Sequence, residues 1–244
     1  MTNESLQIMK RLHLSGMAGA YQGMLSLPLD QHLPAHEMVA SLLDAEQQHR
    51  VMQKTDMFMR LSKMRYRATL KDIECGESRN LKNETILFLA QDTYLQRSQN
   101  LIITGATGSG KSFLACAIGH QACVLGYRTL YFNLNRLSEQ IALAKTDGSF
   151  IKWLNRINKA QLLILDDFGI QPVSQSVKLA LLQIIEDRYG NASTLICSQL
   201  PVAKWHEYIA EPTIADAVLD RIVPKAHRIE LKGNSRRTNI NQLT

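Results

Sequence analysis

Cysteine is scarce in this chain, and its few cysteines are not spaced to act together. Cys75, Cys116, Cys123 and Cys197 make no Cys-x-x-Cys pair, and no histidines stand beside them at zinc-finger spacing. That pattern argues against a zinc ribbon or a disulfide scaffold and for buried, reduced thiols. Long apolar runs are missing too. The longest, around Leu101 and Leu162, have the length of a strand and fall well short of the twenty or so residues that cross a bilayer. The first residues are polar where a secretory leader needs an apolar centre. The expectation is a cytoplasmic protein with no membrane partner. Internal repeats and low-complexity segments are absent, and acids are outnumbered, 22 against 28 lysines and arginines, for a net charge of +6 over 244 residues. A basic balance suits a polyanionic partner without proving one.

The most informative stretch that is present runs from Leu101 to Ser112. An apolar strand, Leu101-Ile102-Ile103-Thr104, enters Gly105-Ala106-Thr107-Gly108-Ser109-Gly110-Lys111-Ser112, and Phe113-Leu114-Ala115-Cys116-Ala117-Ile118 continues as an apolar helix. Strand, glycine-rich turn and helix start are the context that a phosphate-binding P-loop requires. The glycines free the backbone to wrap its N–H groups around a polyphosphate, and the helix turns its partial positive end toward the same charge. Lys111 is placed to reach the β- and γ-phosphates of ATP, and Ser112 to ligate Mg²⁺.

Leu162-Leu163-Ile164-Leu165 is a continuous aliphatic strand of the kind buried on both faces of a parallel sheet, and it ends in Asp166-Asp167. Acids at a strand's carboxyl end lie beside the ligand crevice of such sheets. Asp166 is the candidate metal holder, directly or through water, and Asp167 the candidate that polarises an attacking water. Asp167-Phe168-Gly169 also spells the metal-binding tripeptide of protein kinases, but the chain lacks a His-Arg-Asp catalytic loop and its glycine loop is of the other type. Gln199, after the strand Thr194-Leu195-Ile196-Cys197, is either a γ-phosphate or water contact or a strand-end turn residue. Arg221, closing the helical run from Ala215, reads on its own as a solvated charge.

Further strands are expected at Arg128–Asn133 and His227–Leu231. Helices are expected at Ile86–Leu95, Leu134–Lys145, Phe150–Asn158 and Ser174–Tyr189, with Gly126 ending the P-loop helix. Alternating strands and helices around a P-loop predict an α/β fold with a parallel, doubly wound sheet. Before it, Met1 to about Arg67 reads as helical. Pro28 breaks a first section, and Pro34 opens a second helix with a further break near Arg50. Asp72 to Asn83 is a polar connector, which sets expected domains of 1–75 and 76–244. Arg50, Lys54, Arg60, Lys63, Arg65, Arg67 and Lys71 face only Asp56 before Asp72. They make a candidate DNA-binding surface, although a basic helix face is often merely solvated. Lys225, Arg228, Lys232, Arg236 and Arg237 make the tail basic as well.

The P-loop, the Leu162–Gly169 stretch, Ser198-Gln199-Leu200-Pro201, Trp205 and Asp220-Arg221 together resemble the IstB-like transposition helper ATPases of bacterial insertion sequences, related to DnaC-type helicase loaders within the AAA+ group. Leu43-Asp44-Ala45-Glu46 and Glu230-Leu231-Lys232-Gly233 extend the likeness over nearly the whole chain. The resemblance implies an AAA+ P-loop core behind a small helical N-terminal domain, and an ATPase using ATP and Mg²⁺. It also implies partners: double-stranded DNA, a transposase, and further copies of the chain assembled with ATP and DNA. It casts Gln199 as a sensor, where AAA+ proteins often carry Asn, and Arg221 as an arginine finger reaching a neighbouring subunit. About a dozen residues follow the last strand, so no separate C-terminal lid is expected, and Arg237 is a weak candidate for a lid-type sensor. Three other functions remain open at this point: a helicase loader, a P-loop small-molecule kinase, and a non-hydrolysing DNA scaffold. The kinase would need an acceptor pocket and a lid, and intact Lys111, Asp166 and Asp167 weigh against the scaffold.

Overall fold

A computed structural model describes residues 2–233 and 235. Its elements are, in order, α1 (Thr2–Arg11), α2 (Ser15–Leu25), α3 (Ala35–Ser62), α4 (Asn83–Ala90), α5 (Thr93–Gln96), β1 (Leu101–Gly105), α6 (Lys111–Val124) and β2 (Thr129–Asn133). They continue with α7 (Leu134–Thr146), α8 (Phe150–Asn158), β3 (Leu162–Phe168), α9 (Gln175–Arg188), β4 (Ser193–Ser198), α10 (Trp205–Ile209), α11 (Pro212–Ile222) and β5 (His227–Leu231). Among the described residues the five strands form one parallel sheet in the order β2-β3-β4-β1-β5. β1, which carries the glycine loop, is therefore an interior strand. No helix of the described residues is long and apolar enough to cross a membrane.

The aliphatic strand runs are explained by what covers the sheet. Alternate residues of a strand point to opposite faces, and along β1 to β4 both faces are buried, whereas β5 exposes Arg228 and Glu230. Ile102, Leu130, Phe132, Leu163, Leu165 and Ile196 pack with α7 to α11, while Leu101, Ile103, Tyr131, Leu162, Ile164 and Leu195 pack with α4 to α6. Leu162 to Leu165 are all fully buried. At the amino end of the sheet Arg188 acts as a clamp. It is 2% exposed and donates to the carbonyls of Ile157, Ala160, Gln161 and Ser193 and to Thr194 Oγ1. Burial pushes its pKa down to about 10, so it stays charged at neutral pH. The four cysteines are all free thiols, three buried and Cys75 half-buried.

The structure revises three expectations for local elements. The expected helix Ile86–Leu95 is two helices, because Gln91 leaves helical geometry and Asp92 opens α5. The section before Pro28 is likewise two helices, parted where His13 takes a left-handed φ of 57°. α3, in contrast, runs without a break past Arg50 to Ser62. By packing, the chain divides into units of residues 1–57 and 58–244, so residues 58–75, assigned by sequence to the N-terminal module, belong with the sheet unit.

Within the first unit, α2 has Leu14 at its N-cap position, which supplies no side-chain cap. Its orphaned N–H groups are met from α3 instead: Glu46 Oε2 accepts from Gly16 N at 2.8 Å and from Met17 N at 3.2 Å, while Arg50 Nε donates to Glu46 Oε1 at 2.7 Å. The carboxylate thus answers both the unpaired donors and the positive end of the helix. The Arg50 hydrogen bond, foremost, and the two backbone donors hold the Glu46 pKa below its ordinary 4.5. Approach this close requires glycine, since a Cβ on Gly16 would stand 2.4 Å from Ala45 O and 2.7 Å from Glu46 Cα. Gly16→Ala is therefore expected to destabilise this unit by about 1–3 kcal/mol, read as a lowered melting midpoint. Because the folded pKa of Glu46 is depressed, its contribution is present above pH 4.5 and is lost as pH falls through the folded value, so the variant's deficit should narrow in acid.

Candidate active site

The site is built at the carboxyl ends of β1, β3 and β4. β1 ends at Gly105, and the loop that follows turns through Gly108 and Gly110 at φ of 82° and 93°, a region costly for any residue with a Cβ. This puts successive peptide groups in the concave arrangement that receives anions. α6 begins at Lys111 directly behind it. Lys111 is 7% exposed, and its Nζ donates to Gly105 O at 2.8 Å and Ala106 O at 2.9 Å, folding the ammonium back over the loop. Ser235 lies against Gly108, where a Cβ would come within 2.2 Å of Ser235 Oγ. Arg236 and Arg237 lie outside the described residues.

β3 extends beyond the expected Leu165, through both acids to Phe168, but its pairing with β4 is irregular between Leu165 and Phe168. Asp167 takes a left-handed φ of 59° there. Such a bulge re-aims side chains, and it separates the two acids by environment. Asp166 is fully buried, with its Oδ2 accepting from the Tyr131 hydroxyl at 2.6 Å and its Oδ1 from Asp167 N at 2.9 Å. Burial, foremost, and then the Asp166 charge raise the Tyr131 pKa, so the phenol remains a donor. Asp167 is partly exposed, and its Oδ2 accepts from Asn133 Nδ2 and lies 4.0 Å from Arg65 Nη1.

Asn133 holds two elements at once. Its Oδ1 accepts from Asn135 N at 3.0 Å, capping α7, which leaves its amide nitrogen for Asp167. The cap fixes which way the amide points. Arg65 contributes less to the position of Asp167. Its side chain is 49% exposed at a 4.0 Å separation, and pairs of that kind are worth about 0–1 kcal/mol. Asn133, rather than Arg65, orients Asp167.

Gln199 lies at the loop: its Oε1 accepts from Thr107 Oγ1 at 2.6 Å. The corner that carries it is firmly tied, with Ser198 Oγ donating to Phe168 O at 2.7 Å and accepting from Leu200 N. The fully buried Trp205 donates from Nε1 to Leu200 O at 3.1 Å. Arg221, near the end of α11, is held elsewhere within its own chain, donating to Ala217 O at 2.7 Å and to Glu186 Oε1 at 2.5 Å.

The basic stretch does not form one helix face. Arg50 is paired with Glu46, and Arg60 is exposed on α3. Lys63, at φ 57°, and Arg65 line a cleft of about 1090 Å³ together with Arg136 and Arg156. Arg67 and Lys71 are exposed in the segment that leads to α4, and Lys54 lies in the first unit.

Sequence reasoning missed Tyr131 and Asn133. Each had a signal: a phenol inside a buried strand must find an acceptor, and an asparagine between a strand and a helix is a helix cap.

The chain matches the model of the IstB-like ATP binding protein family over residues 7–243. It is 39% identical over 239 residues to an insertion sequence ATP-binding protein of Sinorhizobium fredii, covering 98% of each chain. It is 38% identical over 202 residues to the ATP-binding protein of insertion sequence IS1162 from Pseudomonas fluorescens, covering 82% of this chain and 87% of that one. Among solved structures it resembles the DnaC helicase loader, with a TM-score of 0.58 at 20% identity over 70% of this chain and 99% of that one. DnaA from Aquifex aeolicus bound to AMPPCP gives a TM-score of 0.59 at 18% identity, over 73% of this chain and 54% of that one. At these identities the structural likeness shows the fold alone, a parallel α/β fold shared with DnaC and DnaA.

Replacing Asn133 separates its two bonds. Asn133→Ala removes both and should cost about 1 kcal/mol through the lost cap, with faster hydrogen exchange in the first turn of α7. Asn133→Asp keeps a capping oxygen but sets a carboxylate against Asp167. It should retain α7 protection while displacing Asp167, and equal exchange in both variants would contradict this division of roles.

Proposed function

Because the chain belongs to the family of IstB-like ATP binding proteins, we propose that it is an ATP-hydrolysing, DNA-binding helper of a transposase, using ATP and Mg²⁺. The observation that carries this reading is the placement of Asp166, Asp167 and Gln199 at the ends of β3 and of β4, which pairs with β1, the strand whose glycine loop leads to Lys111. The insertion sequence relatives support the transposase as partner, and the DnaC likeness supports a helicase loader through fold alone.

The residues present fit the groups they would hold. Residues 105–112 supply a cradle of backbone donors, and Lys111 leaves the carbonyls of Gly105 and Ala106 to meet the β- and γ-phosphates. Ser112 and Asp166 offer the hard oxygen donors that Mg²⁺ prefers, and a site with few protein ligands suits an ion that keeps most of its water. Bound there, Mg²⁺ neutralises charge on the phosphates. Asp166 holds its orientation through Tyr131, so the carboxylate needs no reorganisation to serve the metal. Asp167 polarises the attacking water, and Gln199, already against the loop at Thr107, contacts the γ-phosphate. Arg221 serves a neighbouring copy's site once released from Glu186.

Lys111→Ala should abolish nucleotide binding, while Asp167→Asn should bind ATP and fail to cleave it. Arg221→Ala should bind normally and lose hydrolysis by an amount on the order of 10³-fold or more. Mixing it with Lys111→Ala should restore some activity by pairing an intact site with an intact finger. No recovery at any ratio would remove the shared-site model, and wild-type hydrolysis by Asp167→Asn would reassign the water-positioning role.

DNA contact through Arg60, Lys63 and Arg67 goes to phosphates and is therefore independent of sequence and sensitive to salt, with a slope of roughly −0.9 per phosphate neutralised. Their replacement by Glu should weaken duplex binding and flatten its salt dependence, with ATP affinity unchanged. Wild-type affinity across a salt titration would instead assign this segment to a protein partner.

A further inference from the structure

Arg79 lies outside every motif considered so far, thirty residues before Ser109, yet it is built into the glycine loop. Its residue is 8% exposed, and arginine is seldom buried unless its donors are engaged. Here Nη1 donates to Glu74 O at 2.5 Å, and Nη2 reaches Ser109 O at 3.2 Å. A Cβ on Gly110 would stand 3.0 Å from the same Nη2. The guanidinium therefore backs directly onto the Ser109–Gly110 peptide.

The segment that presents Arg79 is anchored. Gly76 and Leu81 pair as an antiparallel bridge, with Gly76 N donating to Leu81 O at 2.9 Å. Asn80, at φ 53°, donates from Nδ2 to Glu230 O at 2.9 Å, and Lys232 N donates to Arg79 O at 3.0 Å. Leu81 is 1% exposed in the core. The backbone on either side of Arg79 is thus fixed to β5 and the chain just after it, and the side chain is directed inward from a rigid base.

A trans peptide points its C=O and N–H in opposite directions, and the chain has no cis peptide among the described residues. A donor that holds Ser109 O on one side therefore commits the Gly110 N–H to the other. We propose that Arg79 is a positioning residue for nucleotide binding: by holding Ser109 O it aims the Gly110 N–H at the phosphates and places a buried positive charge behind the loop. Glycine at 110 lets the backbone turn freely, at φ 93°, and that freedom is what makes an external restraint useful. The inference rests on the reading of residues 105–112 as a phosphate cradle.

The test uses the full chain with ADP as probe, comparing Arg79→Ala, Arg79→Lys and Lys111→Ala. Nucleotide-free melting reports the fold, calorimetry reports ADP affinity, and the ¹⁵N–¹H resonance of Gly110 reports its amide directly. Arg79→Ala should weaken ADP binding by about 10- to 100-fold, the range for loss of a group supporting direct ligands at metal sites. It should also diminish the ADP-induced shift of the Gly110 amide, and methylguanidinium should restore part of the affinity. Arg79→Lys keeps the charge without the fork and should fall between wild type and Arg79→Ala. If both Arg79 variants bind ADP within twofold of wild type while Lys111→Ala loses it, the cradle stands and the role of Arg79 is refuted. A loss of melting midpoint with an unchanged Gly110 shift would make Arg79 merely structural. ADP binding by Lys111→Ala at wild-type strength would overturn the cradle reading and this inference with it.

Discussion

Everything at the candidate site depends on a parallel sheet whose strands β1 to β4 are covered on both faces. Because β3 and its neighbours are covered on both sides, their carboxyl ends are held by packing on two fronts, and polar side chains placed there inherit that rigidity. A buried strand end must still satisfy its polar groups. Asp166 shows how this is done: fully enclosed, it accepts from Tyr131 on the adjacent strand and from the backbone of Asp167. A hydrogen bond to a charged group is worth about 1.5–3 kcal/mol, more than an exposed ion pair contributes. Orientation of the acid is thus settled before any ligand arrives.

The second acid is held by a different logic. The bulge between Leu165 and Phe168 turns Asp167 out of the buried row, where Asn133 meets it. Since Asn133 also caps α7, displacement of that helix and displacement of Asp167 are mechanically linked. α7 and α8 wall the cleft that contains Arg65, Arg136 and Arg156. The loop side has its own restraints, with Lys111 bound to carbonyls of its own loop and Thr107 bound to Gln199. Both contacts use groups that the proposed nucleotide would claim, so binding exchanges internal hydrogen bonds for phosphate contacts and gains only the difference.

The parallel sheet, the strand that leads to the loop and the placement of the acids at a strand end were legible because each rests on a local pattern. A continuous aliphatic run means burial on both faces, and glycines at fixed spacing mean a backbone that must turn. α8 and β5 occupy the residues their patterns indicated. Boundaries set by competition were not legible. Local pattern did not distinguish the unbroken α3 from a helix interrupted at Arg50: the Glu46–Arg50 pair spans only four residues, whereas the capping of α2 by Glu46 is a contact across thirty residues of sequence. The break at Gln91 and the grouping of residues 58–75 with the sheet unit are likewise outcomes of packing.

The basic stretch shows the same limit from the side of charge. As sequence it is one run of seven cations; in the fold Arg50 serves a helix cap and Arg65 lies by Asp167, while Lys63 lines a cleft. Charge is additive along a chain, but its use depends on which acids and carbonyls come within a few ångströms. The class of fold, the glycine loop between β1 and α6 and the two acids at the end of β3 were legible in the sequence alone, since these follow from backbone freedom and strand periodicity. That Tyr131 orients Asp166, that Asn133 joins α7 to Asp167 and that Arg79 backs the loop emerged from the folded chain. Those are hydrogen bonds between residues about 30 to 35 positions apart, and their geometry exists only once the sheet has brought the partners together.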